Sequence, residues 1–347
     1  MISPLFSHLL IPFLVAMFLA VNMGGSGTAP SFSAAYGANI IRRLSIPGLF
    51  GVFVFAGALL AGKKVSLTMG RDLVDPEYMT LVITTIVLSS IALSIFIANL
   101  LAVPQSTSQS SVFALLGVAL FYGQHDFRKL LTEILPVWFI LPLIAFVLML
   151  LLCKLHKVLK ARWKFLSTLK MSESTTRLLV LVSACYVAFS IGANNVANAA
   201  GPIAGMMLNE LGIEPTDENS FTLIAIMATL LIAPCFAIGS SLFGFRLVKS
   251  TGKGIVQFGH QGAIAISVIT ASLLLLASIT KGIPTSLVQL NTFAIMALSI
   301  SKNGWKSTVF HSTVHRFWLI WLVAPLFAFG MCYALLCGAA YFQWIVL

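Results

Sequence analysis

The sequence predicts an all-α integral membrane protein made of two related halves, and three observations predict it. Fifty-nine per cent of the 347 residues are hydrophobic and only 9% are charged. Mean hydropathy is +1.00, so several runs are long enough to cross a hydrocarbon core of about 30 Å. Secondly, the apolar runs are interrupted by clusters of proline, glycine and small polar residues. Thirdly, these interruptions recur in the same order at fixed spacings.

Apolar runs and their breakers place helices at about 5–21, 46–62, 79–102, 106–122, 134–153, 178–192, 222–245, 260–280, 286–300 and 316–341. The first run lacks a basic start and a clear cleavage site, and reads as a retained helix rather than a signal peptide. Two short helical pieces, near 26–40 and 195–208, follow glycine-rich breaks. Aqueous loops are expected at 63–78, 123–133, 209–221 and 301–315. Between 154 and 170 come Lys154, Lys157, Lys160, Arg162, Lys164 and Lys170, with no acid before Glu173. The positive-inside rule assigns such a segment to the cytoplasm. The organisation expected is therefore a first membrane repeat at 1–153, a basic cytoplasmic linker at 154–177 and a second membrane repeat at 178–347.

The net charge of +11 does not point to nucleic acid, because the basic residues cluster in short loops instead of forming one stripe. The partners expected are the lipid bilayer and a small solute, with a homodimer left open. Cys153, Cys185, Cys235, Cys332 and Cys337 lack paired metal spacing and read as packing residues. No metal and no cofactor are expected.

At a spacing of 180, "VPQSTSQSSVFALLGVAL" lies over "IPTSLVQLNTFAIMALSI" and matches Pro104 with Pro284, Ser106 with Ser286, Gln109 with Gln289 and Phe113 with Phe293. Trp138 and Trp318 fall in step. At a spacing of 168, "NMGGSGTAPSFS" lies over "SIGANNVANAAG", which puts Gly24 on Gly192, Ser26 on Asn194 and Gly27 on Asn195. Paired interruptions of this kind point to a transporter whose site lies at the interface of the repeats near the bilayer midplane.

Each proline-serine segment should start a fresh helix, because proline biases its predecessor away from helix and Ser106, Thr107, Thr285 and Ser286 are capping types. The unpaired N–H groups of the first turn, the positive helix end and the hydroxyls of Ser106, Thr107 and Ser108 form a cup for an oxyanion. The glycine-rich segments either allow close helix packing or expose loosened backbone and amides to a polar solute. Four such helix starts at one point would sum to about two elementary charges. Lys281, just before Pro284, either adds attraction or snorkels to the interface, and the second is preferred. Every acid falls in a loop or at a helix end. A cup of donors without carboxylates suits fully ionised sulfate, which only accepts, better than protonated phosphate, which also donates. An anion channel would need polar residues spread along its helices, and an embedded enzyme a nucleophile paired with a base. The spans show neither.

"GANNVANAAGP", "VPQSTSQ", "IPTSLVQ" and the basic linker together resemble the inorganic phosphate transporter family, over nearly the whole chain. The resemblance implies two inverted repeats and alternating access, moving phosphate, or sulfate in one branch, with sodium ions or protons. The full expectation is then an all-α integral membrane protein with two inverted repeats, broken helices and re-entrant helical hairpins, multi-pass in a plasma membrane such as the bacterial inner membrane. Phosphate members carry Asp after the Asn of the motif in both halves, where this chain has Asn195 and Gly27, with Ser26 preceding. "NMGGSGTAPSFSAAYG" is similar instead to the sulfate permease branch. The carry-over assigns Ser26, Gly27, Thr28, Ser106, Thr107, Ser108, Asn194, Asn195, Thr285 and Ser286 to the anion, with Gln109 and Gln289 one turn behind. Sulfate uptake by proton symport is the leading expectation and phosphate symport the alternative, with protons preferred to sodium. No embedded acid is there to carry the proton; His260, His311 and His315, near the membrane boundaries, either couple by changing charge near neutral pH or are plain interfacial histidines, and the second is preferred.

Overall fold

The computed structural model describes residues 4–101, 105–162, 172–214, 217–251, 259–310 and 312–345, and every helix or turn of helix there is right-handed and strand-free. Pro104, His311, Lys164 and Lys170 lie outside the described residues. The first half contains α1 (Pro4–Gly37), α2 (Ile46–Ala61), a short α3 (Lys63–Leu67) that continues as a π-turn at Thr68–Asp72, α4 (Leu81–Leu100), α5 (Thr107–Phe121) and α6 (Leu135–Arg162). The second contains α7 (Glu173–Asn195), α8 (Ala197–Glu210), α9 (Glu218–Ile232), α10 (Cys235–Gly239) with a π-turn at Ser240–Gly244, α11 (Phe245–Thr251), α12 (His260–Lys281), α13 (Leu287–Asn303), α14 (Trp305–Val309) and α15 (Ser312–Tyr341). Among the described residues, eight helical stretches are long and apolar enough to cross a membrane. The protein is a multi-pass membrane protein.

Helix α6 runs on to Arg162, through the first part of the expected linker at 154–177, and four further elements depart from the expectation. Helix α1 runs unbroken through Gly24, Gly25 and Gly27, where a break near residue 21 and a restart near 26 were expected. Glycine weakens a helix by about 1 kcal/mol per residue, but hydroxyls of Ser26, Thr28 and Ser31 donate back to the carbonyls of Met23, Gly24 and Gly27 along this stretch. Between α7 and α8 the interruption is confined to Val196, whose φ of −60° and ψ of −34° remain helical. The expected loop at 63–78 is folded inward as α3 and its π-turn, burying Val65, Ser66, Thr68, Met69 and Gly70. The expected single helix at 222–245 is broken at Pro234, between α9 and α10.

Helix α6 displays the division between lipid and protein. Phe139, Leu143, Val147, Leu151 and Leu155, four residues apart, are exposed, while Trp138, Leu141, Pro142, Ala145 and Met149 are buried. Its 28 residues span about 42 Å at about 1.5 Å each. Its start sits beside the Lys129–Asp72 ion pair. At that same end Asn209 donates to Glu77 O, Glu210 accepts from Leu81 N, and Lys63 pairs with Glu218. Every acidic residue except Glu173 lies there. At the opposite end of α6, Lys157 donates to Ser301 O at 2.6 Å, near the start of α12. The protein therefore has an acid-rich end and a basic end.

Two glycine seams position the centre. A Cβ on Gly57 would lie 1.9 Å from Phe189 O, and one on Gly192 would lie 2.0 Å from Val54 O, so α2 and α7 touch backbone to backbone. Across the molecule a Cβ on Gly239 would lie 1.7 Å from Val21 O, which joins α10 to α1 in the same manner. First-half α1 thus packs on α10, and second-half α7 packs on first-half α2. Close packing is the physical job of Gly24 and Gly192, since Gly24 faces Phe236 O at 2.2 Å from an added Cβ.

Candidate anion-binding site

The two proline-serine segments meet. Ser106 (φ −82°, ψ 106°) and Ser286 (φ −89°, ψ 103°) are both extended N-caps, and each side chain accepts from the backbone N–H three residues on, at Gln109 and Gln289. Local chemistry dictates this: a serine cap uses its oxygen lone pair to satisfy one of the orphan N–H groups of the first turn. The two helices then join through their glutamines, each amide nitrogen donating to the other's oxygen at 3.2 Å. Behind them Phe113 stacks on Trp138 with centroids 6.4 Å apart and planes at 18°, and Phe293 stacks on Trp321 at 6.4 Å and 19°. Trp321, rather than the expected Trp318, is therefore the structural counterpart of Trp138. Trp138 Nε1 also donates to Pro284 O at 2.7 Å and so pins the second segment to α6.

A small cavity lies where the segments converge. It is lined by Ser26, Gly27 and Pro30 of α1, Gln105, Ser106 and Thr107 of the first segment, Asn195 of α7, and Ser286 of the second, with Ile191, Leu287 and Val288 completing the wall. Its volume of ≈ 20 Å³ holds roughly one water, so the tips must part to admit a tetrahedral oxyanion. Neither Ser106 nor Ser286 donates its hydroxyl hydrogen to a partner among the described residues. Two helix N-termini point here instead of the four expected, because α1 is unbroken and Val196 stays helical. Their summed charge is about one elementary charge rather than two. No titratable side chain lines the cavity.

The remaining predicted residues take other places. Asn194 is consumed as a clamp: its Nδ2 donates to Ser278 Oγ at 2.8 Å and Ile283 O at 3.1 Å, and its Oδ1 accepts from Thr285 N at 3.1 Å and Ser108 Oγ at 3.2 Å. One amide from α7 thus ties the second segment to the first. Ser108 also reaches Thr285 O at 3.2 Å, and the Thr285 hydroxyl donates to Ile283 O. Ser108, Thr285, Gln109 and Gln289 brace the tips from behind, and Thr28 faces a different cavity. Lys281 and His260 are exposed, as is His315. Asn195 and Asn198 are buried, and the Oδ1 of each has no partner among the described residues.

Sequence reasoning missed Gln105. Gln105 spends its amide nitrogen on Ser94 Oγ and Ser110 Oγ, at 2.9 and 2.7 Å. Its place inside the repeated proline-serine spacing, opposite Thr285 in the second segment, was the available signal. Lys64 was missed too: its ammonium caps the end of α12 at Thr280 O, 3.0 Å away.

Residues 23–332 match the model of the Phosphate transporter family. Sulfate permease CysP of Bacillus subtilis (strain 168) is 33% identical over 93% of this chain and 85% of its own length. The putative phosphate permease TK2061 of Thermococcus kodakarensis is 24% identical over 85% of this chain and 89% of its own. Among solved structures, the sodium-dependent phosphate transporter superposes with a TM-score of 0.83 at 20% identity, covering 98% of this chain and all of that one. A chain with these spans and two capped tips meeting in its interior, matched by a family model over almost its full length, is a transporter and not an enzyme: it belongs to the phosphate transporter family.

Proposed function

We propose that this transporter takes up sulfate by proton symport, exposing a central site alternately to the two membrane faces. The observation that carries sulfate is the chemistry of the cavity lining. It offers the hydroxyls of Ser106 and Ser286, the first-turn N–H groups behind them and the Asn195 amide, and it contains no carboxylate. A fully ionised anion finds donors, and nothing negative repels it. The similarity to a protein named sulfate permease supports the same choice. We take the halves as inverted repeats, a reading supported by the crosswise packing of α1 on α10 and of α7 on α2. The basic end faces the cytoplasm by the positive-inside rule.

A second reading, phosphate symport, is favoured by one observation. The unpartnered oxygen Asn195 Oδ1, in the cavity wall, would accept the proton of a hydrogen phosphate. For sulfate, rotation of that amide by 180° presents its NH₂ in the same place. Uptake of radiolabelled sulfate into proteoliposomes, competed by equimolar phosphate with and without a proton gradient, separates these readings. Sulfate uptake that resists phosphate and rises with an inward proton gradient is expected. Uptake of phosphate in preference, or indifference to the gradient, overturns the corresponding half of the proposal.

A further inference from the structure

Helix α1 separates two cavities. Ser26, Gly27 and Pro30 face the central one, while Thr28 faces a second of ≈ 260 Å³, whose polar lining is completed by Arg43, Ser240 and Ser241. We infer that this second cavity is an additional oxyanion-binding site, about one helix width (~10 Å) from the first. Its ligand's identity rests on the transport reading given above.

The chemistry of the lining carries the inference. Ser240 Oγ is buried, with the residue only 3% exposed, and has no partner among the described residues. A buried hydroxyl left unpaired costs about 1–3 kcal/mol, and a bound oxyanion would accept its hydrogen. Thr28 donates its own hydroxyl to Gly24 O at 2.7 Å, which leaves Ser240, Ser241 and Arg43 as the donors facing the cavity. The Arg43 guanidinium lies 3.9 Å from the Phe245 ring centroid. Stacking of this kind holds the planar group in place while its N–H edge stays available for two parallel bonds to an oxyanion. None of the ion pairs among the described residues uses Arg43, and no acid lines the cavity.

Geometry supplies the fixed frame. Ser240 opens the π-turn Ser240–Gly244, a local widening of the helix often found at functional sites. That turn is seated on α1, because a Cβ on Gly244 would lie 2.9 Å from the Thr28 side chain. The volume of ≈ 260 Å³, against ≈ 20 Å³ for the central cavity, leaves room for a partly hydrated tetrahedral anion. Arg43 follows α1 at the basic end of the molecule, away from every acid but Glu173.

Equilibrium binding of radiolabelled sulfate, and in parallel of phosphate, to the detergent-purified full chain tests this. Measured to saturation, the wild type is expected to bind two equivalents. Arg43→Gln with Ser240→Ala should lose one and keep the other, and Ser106→Ala with Ser286→Ala should do the reverse. Arg43→Lys, which keeps the charge and the fold but loses the fork, should weaken one equivalent by roughly tenfold. A single equivalent that survives Arg43→Gln with Ser240→Ala, and is unchanged in Arg43→Lys, overturns the second site and leaves the central one standing. A single equivalent abolished by Arg43→Gln with Ser240→Ala and untouched by the serine pair overturns the central reading instead. Binding of neither probe overturns both.

Discussion

The two capped helix starts are near copies of one another, whereas the two glycine-rich segments have diverged. Ser106 and Ser286 share backbone angles within about 10° and the same cap. Ser26 and Asn194 occupy matching sequence positions and do different things: Ser26 lines the cavity and bonds its own helix, while Asn194 fastens three elements together. A site that takes the same contribution from each half preserves the cap. The two glutamines join the tips symmetrically, whereas the Asn194 clamp comes from the second half alone. The serines thus carry the duplicated cap, and the glycines carry the packing.

The largest effect is expected at the seam. Gly192→Leu and Gly57→Leu each drive a side chain into backbone that already sits at about 2 Å from an added Cβ, and should yield no folded protein by size-exclusion chromatography. Leu143→Ala on the lipid face should leave that profile unchanged. Asn194→Ala comes next. It strands Thr285 N in the interior and should lower stability by about 2–3 kcal/mol, read as a fall in melting temperature, together with loss of uptake. Asn195→Ala should reduce uptake while sparing the melting temperature, because its oxygen has no protein partner to lose. A melting temperature lowered equally by both would erase the distinction between clamp and lining. Asn195→Asp places a negative charge in the cavity and should cut sulfate uptake more than phosphate uptake, measured in the same vesicles. The smallest effect is expected from Trp138→Phe, which removes one bond to Pro284 O, worth about 1 kcal/mol. Uptake should fall by a few fold.

The parts of this architecture that were readable in the sequence are those decided by local chemistry. A serine shortly after a proline is a favoured helix cap, so helix starts close to Thr107 and Leu287 followed from local chemistry, whereas the spacing matched Gln109 with Gln289 without announcing that they bond each other. The break expected at the glycines of α1 is absent, because the packing of α1 on α10 and the back-bonding of Ser26, Thr28 and Ser31 outweigh glycine's low helix propensity. Segment 63–72 reads as polar, with Lys63, Lys64, Arg71 and Asp72, yet Met69 and Gly70 are buried against Gly201 of α8. Nothing local announces that contact. Asn194 and Asn195 are adjacent and chemically identical, and only the turn of α7 decides which becomes the clamp and which faces the cavity. Trp318 and Trp321 differ by less than one helical turn, a difference that sequence alignment of apolar helices cannot resolve.

The central claim is that one hydroxyl from each half holds the same anion. Concentration-dependent sulfate uptake by proteoliposomes containing Ser106→Ala, Ser286→Ala or the pair tests it most directly. Each single change should reduce uptake by a similar factor, roughly tenfold, and the pair should abolish it, while each lost cap lowers stability by about 1 kcal/mol and the protein still elutes folded on size-exclusion chromatography. Normal uptake by the pair, or a loss confined to one of the two serines, would contradict the account.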